Sequence, residues 1–119
     1  MSTRHAPPRV VLFSGSRRWG DPEPVCRDLD SLPAGSVVIE GGAPGLDSIV
    51  RREAPIRGLH VATVPALWDH FGKPAGYRRN EAMLLLRPEE LFAYPLGDSP
   101  GTRHMIRAAE AECIRVREP

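Results

Sequence analysis

Four short segments of this chain combine small residues with side chains that suit phosphate. They are Gly15-Ser16-Arg17-Arg18-Trp19, Gly41-Gly42-Ala43-Pro44-Gly45-Leu46-Asp47, Ala75-Gly76-Tyr77-Arg78-Arg79-Asn80 and Ser99-Pro100-Gly101-Thr102-Arg103. Glycine lets another group approach the backbone closely, and the planar arginine side chain pairs with two phosphate or carboxylate oxygens at once. A glycine-rich loop at a helix start also offers backbone N–H groups to an anion. Together the four segments predict a site for a phosphorylated, nucleotide-like ligand.

The elements that position these segments can be predicted from apolar runs and breaker residues. Strands are predicted at 9–14, 36–40, 59–64 and 91–94, with a short edge strand at 113–116. Helices are predicted at 22–32, 46–53, 78–86 and 101–112, and residues 65–74 are predicted to form a loop. This alternation favours right-handed crossovers and a parallel sheet, whose ligands bind at the carboxyl ends of the strands. We therefore predict an α/β fold: one Rossmann-like domain, a mostly parallel sheet of four or five strands in the order 3-2-1-4-5, and helices on both faces.

Length and composition limit the function classes. A chain of 119 residues fits one domain, predicted at 9–119 behind a flexible N-terminal arm at 1–8. The formal net charge of +1 argues against a protein that grips long nucleic acid by charge alone. Cys26 and Cys113 show no metal-ligand spacing, so we expect reduced thiols, no metal and no cofactor. Without an apolar signal segment or membrane-length run, we expect a cytoplasmic protein with no membrane partner.

The chain resembles the SLOG superfamily, a Rossmann-like group that unites DprA-type proteins with the LOG cytokinin-activating enzymes. The resemblance is strongest to the small stand-alone, YspA-related SLOG domains and runs from about Arg9 to the C-terminus. The matching residues are Gly15-Ser16-Arg17 with Trp19 and Asp21, the whole 41–47 segment, Pro65-Ala66 with Trp68, Gly72, Ala75-Gly76 with Arg79-Asn80, and Ser99 with Gly101-Thr102. The resemblance implies a Rossmann-like sheet and a pocket for nucleotides or nucleotide-derived signals of the ADP-ribose type.

The resemblance does not fix a reaction, because relatives differ in what they do. Some hydrolyse an N-glycosidic bond, some sense ADP-ribose-type signals, and DprA-type relatives bind single-stranded DNA. LOG enzymes carry a glutamate three positions after their Gly-Thr pair, and Met105 stands at that position here. A thioether cannot take a proton or stabilise a sugar cation. If the chain is an enzyme, Glu40 and Asp47 are the remaining catalytic candidates.

Each candidate residue also has a purely structural interpretation. The predicted ligand-binding residues are Gly15, Ser16, Arg17, Trp19, Gly41, Gly42, Ala43, Gly45, Asp47, Arg79, Asn80, Ser99, Gly101 and Thr102. Asp47 either accepts hydrogen bonds from ribose hydroxyls or only interacts favourably with the dipole of its own helix. Ser99 either contacts phosphate or only caps a helix. Arg79 and Asn80 either reach the ligand or form a solvated helix start.

The aromatic residues and one apolar run leave similar alternatives. Trp19 and Trp68 either stack on a base or pack in the core and its rim. The run at 83–86 is apolar on every side of its helix, which is typical of a buried helix. In a domain this small a second copy could cover one face, so we expect a homodimer through that helix.

Three functions follow from these readings. The first is binding of a nucleotide or nucleotide-derived molecule by a sensor, carrier or sequestering protein. The second is a LOG-like nucleotide N-glycosidic hydrolase, and the third is DprA-like binding of single-stranded DNA.

Overall fold

The computed structural model describes residues 6–119, in which five strands alternate with helices. The strands are β1 (Val10–Gly15), β2 (Val37–Glu40), β3 (His60–Thr63), β4 (Glu90–Tyr94) and β5 (Arg115–Arg117). The helices are α1 (Pro22–Asp30), α2 (Leu46–Glu53), α3 (Trp68–Phe71), α4 (Ala75–Leu85) and α5 (Pro100–Ala111), with a 3-10 turn at Pro55–Arg57. Residues 1–5 of the predicted N-terminal arm lie outside the described residues.

The five strands form one sheet in the order β3-β2-β1-β4-β5, and every neighbouring pair is parallel. The predicted fold class and strand order are therefore confirmed. Leu12 in the central strand β1 aligns with Ile39 in β2 and Leu91 in β4. The chain adds β2 and β3 on one side of β1, then returns to add β4 and β5 on the other. The carboxyl ends of β1 and β4 therefore flank the point where strand order reverses.

Side chains alternate across β1 and divide the core into two layers. Val11 and Phe13 pack with apolar residues of α1 and α2 on one face, including Leu29 and Leu46. Leu12 packs on the other face with apolar residues of α4 and α5. Because both faces are covered, the three inner strands β1, β2 and β4 are largely apolar runs with no exposed residue, as the sequence pattern predicts.

The region before α4 differs from its sequence-based prediction. Residues 65–74 were expected to form a loop, but they include the one-turn helix α3, and α4 begins at Ala75 rather than at residue 78. Gly72, at φ 66°, ends α3 in a conformation that favours glycine. The Arg78 guanidinium lies 4.8 Å from the Phe71 ring centroid and links α3 to α4. A helix this short depends on such contacts, which the local pattern does not encode.

The apolar run at the end of α4 is only partly exposed. Met83 and Leu84 are buried in the chain's own core, whereas Leu85 is 80% and Leu86 49% exposed. Half of the run is thus explained by folding of the single chain, and the homodimer stays a prediction. No helix within residues 6–119 is both long and apolar enough to cross a bilayer.

Candidate functional site

A cavity of about 450 Å³ opens at the carboxyl ends of β1, β2 and β4. Its volume falls within the usual range for small-molecule sites. All four segments identified from the sequence contribute to its wall. The predicted site residues that line it are Gly15, Ser16, Arg17, Gly41, Ala43, Asp47, Arg79, Asn80, Ser99, Gly101 and Thr102.

Three predicted ligand-binding residues lie outside the cavity wall and hold the loops in place. The Trp19 ring meets Tyr94 edge-on at 5.2 Å, and its Nε1 donates to the Asp21 carbonyl oxygen at 2.7 Å. Gly45 has φ 75°, and a Cβ there would lie 2.4 Å from the Arg17 carbonyl oxygen. Gly42, at φ 72°, packs near Thr63. Trp19 therefore packs against the core, and the two glycines allow tight loop contacts.

The backbone amides of the 41–47 loop are mostly occupied by the protein's own acceptors. Gly41 and Ala43 donate to Asp47 Oδ2 at 3.1 and 3.2 Å, and Gly42 donates to Glu40 Oε1 at 2.7 Å. Leu46 N donates to the Ser16 carbonyl oxygen at 3.1 Å. The glycine pattern predicted free amides here for an anion, and that prediction is wrong for these four positions. The loop instead organises two carboxylates of the same chain.

The first loop is closed in a similar way around Ser16. Its amide donates to the Tyr94 carbonyl oxygen at 2.9 Å, and its Oγ accepts the Arg18 amide at 3.1 Å. The Ser16 carbonyl oxygen accepts the amides of both Trp19 and Leu46. Ser16 therefore fixes the loop, and the exposed Arg17 and Arg18 that follow it line the cavity.

Asp47 is a buried carboxylate in the cavity wall, only 5% exposed. Its Oδ2 accepts the two loop amides, but its buried Oδ1 has no hydrogen-bond partner among residues 6–119. Burial raises the pKa of Asp47 to about 6, and the nearby charge of Glu40 adds to the rise. The two loop amides and the Arg79 charge oppose it. A buried acceptor without a donor is costly, so a ligand group that donates to Asp47 would remove a penalty.

Arg79 and Asn80 tie α4 to the two loops beside it. Arg79 Nη1 donates to the Gly41 carbonyl oxygen at 2.6 Å, and its Nε donates to Asn80 Oδ1 at 3.1 Å. Asn80 Nδ2 donates to the Gly101 carbonyl oxygen at 3.2 Å. A Cβ on Gly41 would lie 2.4 Å from Arg79 Nη1, so this contact requires glycine. Burial lowers the pKa of Arg79, and neither side chain belongs to a simply solvated helix start.

The N-terminus of α5 provides the open backbone donors of the cavity. The amides of Gly101 and Thr102 have no acceptor within residues 6–119. Ser99 makes no side-chain bond to a helix amide; its Oγ donates to Thr102 Oγ1 at 2.8 Å. The Ser99 backbone has φ 35°, a conformation that is unusual outside glycine and concentrates at functional sites. Free amides at the start of a 12-residue helix favour an anion.

The charge of the cavity wall agrees with that preference. Arg17, Arg18, Lys73 and Arg79 line the cavity, and none has a carboxylate oxygen within 4.0 Å in the described chain. Asp47 and Asp98 are the acidic residues of the wall. Arginines outside the cavity, such as Arg9, Arg51, Arg57 and Arg117, do pair with carboxylates. The wall therefore has an excess of unpaired positive charge, which attracts anions.

Neither the other candidate carboxylate nor Met105 lies in the cavity wall. Glu40 is fully buried, and its Oε1 accepts both the Gly42 amide and Arg51 Nη1 at 2.7 Å. Its Oε2 accepts the Thr63 hydroxyl. Met105 is fully buried in the layer under α5. No group of three or more metal-ligating side chains occurs within the described residues.

Besides the buried Phe13, two exposed aromatic side chains line the cavity: Trp68, which is 51% exposed, and Tyr77, which is 46% exposed. Tyr77 is a site residue that the sequence interpretation missed, as are Lys73 and Asp98. The available signal was the position of Tyr77 within the segment that contains Gly76 and Arg79. Its sequence position alone does not distinguish it from an ordinary exposed tyrosine.

The parallel sheet and the reversal in strand order define a Rossmann-like α/β domain, and its carboxyl edge carries a cationic cavity. The family model described as "YspA, cpYpsA-related SLOG family" matches residues 9–71. The chain belongs to this family, which confirms the resemblance drawn from its motifs. It is also similar to the Gene 61 protein of Mycobacterium phage D29, with 39% identity over 117 residues, covering 91% of this chain and 94% of that protein. No solved structure matches the chain.

Proposed function

We propose that this protein binds a nucleotide or nucleotide-derived small molecule in the cavity, as a sensor, carrier or sequestering protein. The observation that carries the proposal is the open N-terminus of α5 in a wall with four cationic side chains that form no salt bridge within residues 6–119. Membership of the SLOG family supports nucleotide-related binding or processing in general terms.

The phosphate of the ligand is assigned to the first turn of α5. The amides of Gly101 and Thr102 would donate to its oxygens, with the hydroxyls of Ser99 and Thr102 beside them. Arg17, in the loop after β1, lines the same cavity and would add a bidentate, permanently charged donor. Arg79 has one nitrogen engaged by Gly41 and one by Asn80, so it contributes mainly charge and its remaining N–H groups.

The sugar of the ligand is assigned to Asp47. A hydroxyl that donates to the unpartnered Oδ1 would satisfy a buried acceptor and favour the ionised carboxyl. The two loop amides on Oδ2 hold the carboxyl in a fixed orientation before the ligand arrives. Acidic side chains take ribose hydroxyls in other dinucleotide sites of this architecture.

Isothermal titration with nucleoside monophosphates and the matching nucleosides tests the proposal. Arg17→Ala should weaken binding of the phosphorylated ligands by roughly tenfold or more, because hydrogen bonds to charged groups contribute about 1.5–3 kcal/mol. Arg107→Ala is the matched control, since Arg107 is exposed on α5 and does not line the cavity. Equal losses in both variants, or no binding of any phosphorylated ligand at millimolar concentration, would contradict the proposal.

An N-glycosidic hydrolase is the second candidate, and one observation favours it. A carboxyl group with pKa about 6 in a ligand cavity is suited to proton transfer near neutral pH. Asp47 would have to act without Glu40, which is bonded on both oxygens away from the wall. Chromatography of nucleotides incubated with high enzyme concentrations decides between the candidates. Free base that appears with the wild type and not with Asp47→Asn supports the hydrolase; intact nucleotide supports binding alone.

A further inference from the structure

The two exposed aromatic side chains of the cavity lie on helices and differ from the buried aromatic side chains of the sheet. Phe13, Phe92 and Tyr94 are buried, with ring centroids 4.7 and 6.0 Å apart in a stacked series. Trp68 and Tyr77 instead leave about half of their surface open and line the same cavity as the α5 N-terminus. Aromatic rings in this position offer a flat apolar surface to a ligand beside a charged anion seat.

Both rings are supported by neighbouring elements. The Trp68 indole lies against Gly76 of α4; its Cη2 is 3.4 Å from where a Cβ on Gly76 would be. The Tyr77 ring packs on the His104 ring of α5, with centroids 4.3 Å apart and the planes inclined by 30°. The helix α3 that carries Trp68 is linked to α4 through Phe71 and Arg78. Because the rings are held before a ligand arrives, little conformational freedom is lost on binding.

The ring of Tyr77 and the proposed phosphate seat belong to one connected unit. Tyr77 and Asn80 lie on the first turns of α4, and Asn80 donates to the Gly101 carbonyl oxygen in the first turn of α5. A ligand with its phosphate at Gly101 therefore meets an aromatic wall within the same cavity of about 450 Å³. A sugar phosphate without a base would leave that wall uncovered.

We infer that Trp68 and Tyr77 form a nucleobase-stacking subsite, so that the ligand is a nucleotide with an intact heteroaromatic base rather than a base-free sugar phosphate. The inference rests on the proposed function, because it takes the phosphate seat as given. Every base has a π face, so the subsite selects for the presence of a base more than for its identity.

The chain contains two tryptophans, Trp19 and Trp68, which makes the first test direct. In Trp19→Phe the remaining indole is Trp68, and titration with a purine nucleoside monophosphate should quench its fluorescence as the base stacks. In Trp68→Phe the remaining indole is Trp19, which packs on Tyr94 outside the cavity wall, and its emission should not respond.

Calorimetry separates the base from the phosphate. Trp68→Ala should weaken binding of the nucleoside monophosphate by roughly 5- to 150-fold, the usual range for loss of one stacking side chain. The same variant should bind ribose 5-phosphate as the wild type does. Leu85→Ala is the control, since Leu85 is an apolar residue on α4 that is 80% exposed and lies outside the cavity wall. Urea unfolding of each variant verifies that it is folded.

The possible failures point to different assumptions. Equal affinity of the wild type for the nucleotide and for ribose 5-phosphate would overturn the stacking subsite and leave the phosphate seat intact. If neither ligand binds, the proposed function falls together with the inference. If Trp68 emission changes with protein concentration and not with nucleotide, a second copy of the chain covers this surface and the inference is wrong.

Discussion

Replacement of Asp47 by asparagine should make the stability of the ligand-free protein less dependent on pH between about 4.5 and 8, and at the same time weaken ligand binding. Asp47 is 5% exposed, and its Oδ1 has no partner in the described chain. Burial therefore disfavours the ionised form of this carboxyl group in the folded, ligand-free protein. Asparagine removes the charge and keeps a carbonyl oxygen that can accept the amides of Gly41 and Ala43.

The magnitude follows from the pKa of this carboxyl group. Burial raises the pKa of Asp47 from 3.8 to about 6, and each pH unit of such a difference corresponds to about 1.36 kcal/mol. Because the folded-state pKa is the higher one, the stabilising contribution is fully present below about pH 4 and is lost as pH rises through 6. The free energy of unfolding of the wild type should therefore fall by roughly 3 kcal/mol between low pH and pH 8 through this group, whereas that of Asp47→Asn should not.

Urea unfolding at about pH 4.5 and pH 8 measures the effect, with the wild type and variant compared at each pH. The difference between the two proteins isolates Asp47 from groups such as Glu90, whose pKa its arginine neighbours lower. The amide nitrogen of the asparagine takes the place of Oδ1 and remains without a partner, at a cost of about 1–3 kcal/mol. We therefore expect the variant to be the less stable protein at pH 4.5 and to gain roughly 2–3 kcal/mol relative to wild type by pH 8.

The control for this series is Asp69→Asn, which makes the same substitution at an exposed position on α3 and should change stability little. If Asp47→Asn destabilises the protein by the same amount at pH 4.5 and pH 8, burial does not raise the pKa of this carboxyl group and the reasoning is refuted. If the variant binds nucleotide as tightly as the wild type, the assignment of a ligand hydroxyl to Asp47 is refuted.

Three further predictions test the fold, the position of Met105 and the pH dependence of binding. Gly45→Ala should cost roughly 2 kcal/mol or more in urea unfolding, because its φ of 75° and a contact of 2.4 Å with Arg17 oppose a Cβ; Gly20→Ala has open space and should change stability little. Met105→Glu should destabilise the protein by roughly 3–5 kcal/mol without base release by chromatography, since this position is fully buried; Met105→Leu should cost less than about 1.5 kcal/mol. Calorimetry should find that nucleotide binding becomes tighter as pH rises through 6, because the ionised Asp47 accepts a hydrogen bond from the ligand hydroxyl. In Asp47→Asn the affinity should change less with pH, and only through the second ionisation of the ligand's own phosphate.

The architecture could be predicted from the sequence because its signals are local. The apolar run that became β1 and the fragment Ser36 to Glu40 have the composition of strands covered on both faces. Gly, Pro and polar residues between them mark the turns. Helix α2 begins at Leu46 as predicted and ends at Glu53, close to Pro55, where the sequence predicts an end or a kink. Parallel strands leave little choice of topology, since crossovers are right-handed and loops gather at the carboxyl edge. The location of the cavity followed from this geometry.

The distribution of hydrogen bonds within the site could not be predicted in the same way. Glycines at 41 and 42 look like phosphate-binding positions, but their amides donate to Asp47 and Glu40. Trp19 and Trp68 look equivalent in sequence, yet one packs on Tyr94 and the other lines the cavity. Glu40 and Asp47 were equal catalytic candidates, but of these two only Asp47 lies in the cavity wall.

The sequence by itself determined the class of fold, the edge of the sheet that carries the site and the cationic character of the loops. Periodicity, turn residues and charge act over a few residues, so they can be deduced from the chain directly. Only the tertiary structure decided which donors and acceptors remain free, because a group is free only after every distant neighbour has taken its place. Within residues 6–119 the backbone N–H groups of Gly101 and Thr102 have no acceptor and Asp47 Oδ1 has no donor, so these are the groups that folding leaves free.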